Sequence, residues 1–143
     1  MLRAILLFIV IALPGCACRG PLDVSGDDEL VRFSVHERYR ITDLEVVTWN
    51  DDGERSLVWQ VHGPGELSMN YGDAPAEFET TYEPSPRRLE PGEVYAVRVR
   101  CRDENARQCS RTQMFGILPD GNFVMGCRSL QACRGLMTSE YVN

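Results

Sequence analysis

The sequence predicts an all-β protein: a small antiparallel β-sandwich with a disulfide-containing C-terminal segment. Three observations carry that expectation. About eight short apolar runs are separated, every eight to twelve residues, by Gly, Pro, Asn and Asp signals. The clearest run, residues 94–101, alternates strictly. It puts Val94, Ala96, Arg98 and Arg100 on one face and Tyr95, Val97, Val99 and Cys101 on the other, as a strand with one wet face requires. After residue 15 no stretch keeps a helical period over several turns, and there is no internal repeat or low-complexity segment.

The elements follow in chain order. Residues 16–29 are polar and turn-rich and read as a flexible tether. Structure is expected to start at residues 30–35, where Val31, Phe33 and Val35 share a face. Residues 44–49, rich in β-branched side chains, form the next strand. Asn50-Asp51-Asp52-Gly53 then turns the chain through residues that tolerate positive φ. Residues 57–62 follow, and Gly63-Pro64-Gly65 is expected to end that strand. Residues 67–71 and 76–82 are two further short runs, and the prolines of residues 84–88 mark an edge or loop.

After the strand at residues 94–101, the polar residues 102–108 reverse the chain. Residues 112–118 and 122–125 form a hairpin about Pro119-Asp120-Gly121. Residues 129–137 form one short helix or an irregular stretch held by Cys133. The expected core holds Trp49, Trp59, Tyr71, Phe78, Tyr95, Val97, Val99, Phe115 and Phe123.

One segment goes further. Leu89-Glu90-Pro91-Gly92-Glu93-Val94-Tyr95-Ala96-Val97-Arg98-Val99 resembles the L-x-P-G-x-x-Y-x-V-x-V stretch of fibronectin type III domains. The resemblance implies an immunoglobulin-like, fibronectin type III-like sandwich. In it Leu89 is a core residue, Pro91-Gly92 is the turn, and Tyr95 is a tyrosine corner. It covers eleven residues, and the cysteine-rich C-terminal segment departs from that family.

The N-terminus addresses the compartment. Arg3 precedes an apolar run of ten residues, 4–13, which has the length of a signal core and is too short to span a bilayer. The run ends in Leu13-Pro14-Gly15-Cys16, which resembles the lipobox of bacterial lipoproteins. The resemblance implies cleavage before Cys16 and a diacylglyceryl thioether on its sulfur, and two or three acyl chains anchor stably. With Ala17 rather than aspartate after the anchor, resemblance to enterobacterial lipoproteins implies an outer-membrane protein facing the periplasm. The plainer alternative is a secreted protein cleaved near Ala17 or Gly20, with Cys16 and Cys18 in disulfides. The expected organisation is a signal peptide over residues 1–15, a lipidated N-terminus and tether over 16–29, and the sandwich with a short C-terminal extension over 30–143.

Removing residues 1–15 takes away one of the 15 arginines and leaves all 21 acidic side chains; lysine is absent throughout. That balance excludes the basic footprint of a nucleic-acid binder and the polybasic patch of an electrostatic membrane binder. Membrane hold is therefore expected from the lipid alone.

Export permits disulfides. With Cys16 lipidated, five cysteines remain, and Cys18, in the tether, is the candidate free thiol. The short gaps favour Cys101 with Cys109 and Cys127 with Cys133, although other pairings stay open. A four-cysteine zinc site lacks the close ligand pairs that such sites use.

No catalytic constellation is expected. His36 and His62 are the only histidines, and no serine sits in a nucleophile elbow. His36-Glu37 fails the HExxH spacing because position 40 is arginine, and the acidic pairs lack EF-hand spacing. No metal, cofactor or small-molecule substrate is therefore expected.

Arg98, Arg100 and Arg102 make a basic stripe on one strand face. It is either a solvated face paired with neighbouring carboxylates or a docking surface for an acidic partner, a protein or an anionic envelope glycan. The functional expectation is a non-catalytic binding or interaction module held at the membrane. The alternative is a structural accessory subunit of an envelope complex. An exposed Trp or Tyr beside the arginines would favour the first, a flat apolar face the second.

Overall fold

A computed structural model describes residues 22–26 and 29–140. The signal segment, the lipobox with Cys16, and Cys18 lie outside the described residues.

Two antiparallel sheets pack face to face, as the alternation predicts. The small sheet has the order β1-β2-β5, from Asp23–Gly26, Val31–Ser34 and Ser68–Asn70. The large sheet has the order β6-β4-β3-β7-β8-β9. Its strands are β3 (Tyr39–Trp49), β4 (Arg55–Glu66), β6 (Glu79–Tyr82), β7 (Val94–Asp103), β8 (Gln108–Ile117) and β9 (Phe123–Met125). One helix, α1 (Leu130–Glu140), follows β9. The inward faces of both sheets supply one core, which includes Phe33, Met69, Leu44, Val46, Trp59, Val61, Val97 and Phe115. Phe33 of the small sheet meets Phe115 of the large one at a ring separation of 6.1 Å. Each such side chain removed from water stabilises the fold by ~1.5–3 kcal/mol.

The segment around Tyr95 has the geometry of a tyrosine corner. Leu89 and Tyr95 are buried, and the Glu90 N–H donates to the Tyr95 hydroxyl at 2.8 Å. Burial raises the pKa of that phenol to about 12, partly offset by the Glu90 hydrogen bond.

Structure begins earlier than residue 30. Leu22 and Val24 are buried, and β1 pairs with β2 from Asp23 opposite Ser34 to Gly26 opposite Val31. Two apolar side chains in a polar stretch leave no pattern to read. Without β1, however, the small sheet would have only two strands, which are marginal alone.

β4 also runs through Gly63-Pro64-Gly65 rather than ending there. The register slips between Ile41 opposite Glu66 and Asp43 opposite His62, so the three residues form a bulge that needs no proline N–H. Gly63 is required there, because a Cβ would sit 2.4 Å from the Phe78 ring.

The tail is helical. Ser129 caps α1, its hydroxyl accepting from the Ala132 N–H. The Cys127–Cys133 disulfide, with Cα atoms 5.1 Å apart, ties the helix to the end of β9. Cys101 and Cys109, both buried, stand directly opposite each other across β7 and β8.

Candidate functional site

The outer face of the large sheet, turned away from the core, is where the stripe lies. Alternation along β7 puts Val94, Ala96, Arg98, Arg100 and Arg102 on this face. Val94 and Ala96 are nonetheless buried. α1 covers that end with Met137 and Cys133 in a second apolar cluster that also holds Val94, Leu118 and Val124. Gly116 leaves room for the Met137 side chain, since a Cβ there would lie 2.3 Å from its sulfur. The Arg134 guanidinium fixes the other side, donating to the Asn50 carbonyl at 3.0 Å.

The three arginines are exposed, and their cross-strand neighbours are ordered by register. On β3, Arg98 faces Glu45, Arg100 faces Asp43 and Arg102 faces Arg40. On β8 the same three face Thr112, Ser110 and Gln108. Facing side chains in an antiparallel pair are close enough to interact, so Glu45 and Asp43 are the expected partners. Both carboxylates are engaged from the other side. Glu45 is paired with Arg55 of β4. Asp43 accepts from the Thr42 hydroxyl at 3.0 Å and lies 2.7 Å from the His62 Nδ1. Among the described residues, Arg98, Arg100 and Arg102 enter no ion pair.

Between the stripe and α1 lies a depression of about 290 Å³. Val47 and Ala96, directly opposite each other, form its floor. Trp49 and Met114 flank it half-buried, and both pack against the helix cluster. Arg98 and Thr112 stand on its open side, with the Arg55–Glu45 pair beside them.

Trp49 therefore departs from its expected place in the main core. Parity along β3 explains this: Asp43, Glu45, Val47 and Trp49 share one face, while Leu44 and Val46 share the other. The same parity count would have found the site in the sequence, because a tryptophan in step with two carboxylates belongs to the wet face. Val47, Met114 and Thr112 join the site where β3, β7 and β8 align in register, a placement that local sequence does not carry.

Arg102 belongs to a different hollow. It lines a second depression of about 290 Å³ at the end of the sheet, together with Arg38, Arg40, Glu37, Asp103 and Glu104. The stripe thus splits between a mixed-charge end and an apolar groove, with Arg100 between them. His36 lies in the turn before β3 and His62 on β4, so the two histidines occupy different elements.

No protein-family model, no curated protein and no solved structure matches the chain.

Proposed function

We propose that this protein is a bacterial envelope lipoprotein, anchored through Cys16, whose sandwich is a non-catalytic binding module that docks an acidic partner on the outer face of its large sheet. The observation carrying this reading is the state of the charges there. Arg98, Arg100 and Arg102 are exposed without an ion pair among the described residues, while the carboxylates opposite the first two are committed to Arg55 and His62. Uncommitted guanidinium groups on a rigid sheet are suited to steering and holding carboxylates. Trp49 beside Arg98 is half-buried rather than exposed, and its place in a groove rather than on a flat apolar face supports a binding module over an accessory subunit.

The lipobox resemblance supports the anchor, and the absence of aspartate after Cys16 supports outer-membrane delivery facing the periplasm. The tyrosine corner supports an immunoglobulin-like fold of fibronectin type III character. So does the division of β1, β2 and β5 from β4, β3, β7 and β8. It differs from a constant-type immunoglobulin sandwich in placing the fourth strand beside the third.

A photocrosslinking residue placed at Thr112 in cells expressing the full chain tests the binding role. A discrete adduct is expected from Thr112, lost in Arg98→Glu/Arg100→Glu and not seen from a control position at Glu77. Equal adducts from both positions, or an adduct indifferent to charge reversal, would contradict it.

A further inference from the structure

We infer that the groove beside Arg98 receives one large apolar side chain of a protein segment whose flanking residues are acidic. The inference rests on the docking reading above and adds what the partner presents. The floor of Val47 and Ala96 and the walls of Trp49 and Met114 offer contact to an apolar group and little to a polar one. The helix cluster closes the groove at the Trp49 and Met114 end, so it opens toward Arg98. A chain approaching from that side meets Arg98 and then Arg100, whose Cα atoms stand about 7 Å apart along β7. Carboxylates next to the anchor would meet them there, while the Glu45 charge is already balanced by Arg55.

The walls argue for a protein segment over a glycan. Sugar rings are held by flat aromatic faces ringed with hydrogen-bonding side chains. Here Trp49 is the only aromatic lining residue, and its indole N–H and the Thr112 hydroxyl are the only uncharged hydrogen-bonding side-chain groups in the lining. Over the floor itself strand addition is not available, because β3 and β7 are interior strands whose backbones are already paired on both sides. An apolar group seated on that floor is thus held by side-chain contacts.

Binding of two capped pentapeptides, Asp-Glu-Phe-Asp-Glu and Asp-Glu-Gly-Asp-Glu, to the full mature chain tests this, with a polygalacturonate oligomer as the glycan probe. The phenylalanine peptide is expected to bind at least about tenfold more tightly than the glycine peptide. Thr112→Trp, at the exposed rim, and Ala96→Leu, on the floor, should each remove that difference and leave the weaker, salt-sensitive binding in place. Arg98→Glu/Arg100→Glu should abolish binding of both peptides. Equal binding of the two peptides, still abolished by charge reversal, would overturn the groove and leave the arginine face standing. Binding indifferent to charge reversal would overturn both. Preference for the polygalacturonate over the phenylalanine peptide would overturn the assignment to a protein segment.

Discussion

At Tyr95 a single phenol joins packing to hydrogen bonding. Its ring stacks on Phe115 with centroids 5.7 Å apart, and its hydroxyl accepts from the Glu90 N–H. Tyr95→Phe keeps the packing and orphans that N–H, so a loss of about 1–2 kcal/mol in urea unfolding is expected. The same phenol sets an alkaline limit. Burial raises its pKa from the ordinary 10.0 to about 12, so folding favours the protonated form. That contribution is intact below pH 10 and is lost as pH rises toward 12. Tyr71, buried against Trp59, shifts in the same direction, so Tyr95→Phe should lessen the alkaline loss without abolishing it. The corner was legible in the sequence because Leu89, Pro91, Gly92 and Tyr95 act within a few residues of one another. Trp49 was legible only through parity along β3, where it falls in step with Asp43 and Glu45, because its aromatic character alone argues for the core.

Among the elements, α1 is held to the outer face by a small apolar cluster and one covalent link. A cross-link closing so short a loop contributes ~2 kcal/mol. Cys127→Ser is therefore expected to cost about that much and to speed amide exchange in α1 while β7 stays protected. Exchange in α1 as slow as in the unaltered protein would contradict that role for the link. The β7–β8 hairpin carries a second expectation. Facing residues of an antiparallel pair have Cα atoms ~4.5–5.5 Å apart, inside the ~4.4–6.8 Å that a disulfide spans. Peptide mapping without reduction should recover Cys101 joined to Cys109; recovery of both as alkylated thiols would contradict that pairing. Most strands were legible from alternation and turn residues. The exceptions are β1, whose apolar content is two side chains, and the Gly-Pro-Gly stretch, where a bulge keeps pairing that the local sequence argues against.

For the whole molecule, the register sets which end would face the proposed anchor. Asp23 starts β1 opposite Ser34, and the turn after β2 leads into Tyr39, which pairs with Asp103. The chain from Cys16 therefore enters at the end bearing Glu104. With seven steps from Cys16 to Asp23, the proposed anchor at Cys16 would hold that end within about 25 Å of its sulfur. Trp49 and the groove lie toward the opposite end, where β3 finishes and the segment of Asn50 turns. In the lipidated protein on vesicles, a fluorophore at Glu104 should be quenched by headgroup-bound quenchers more strongly than one at Asp51. Equal quenching would contradict this orientation.

That arrangement, the oxidising compartment and the division of the cysteines would all follow from the proposed lipid on Cys16. The mass of the mature N-terminal peptide is the most direct test. The account predicts a chain beginning at Cys16 with a diacylglyceryl group on its sulfur, and a protein released from the membrane fraction by Cys16→Ser. A mature chain beginning elsewhere, or an unmodified Cys16, would contradict it.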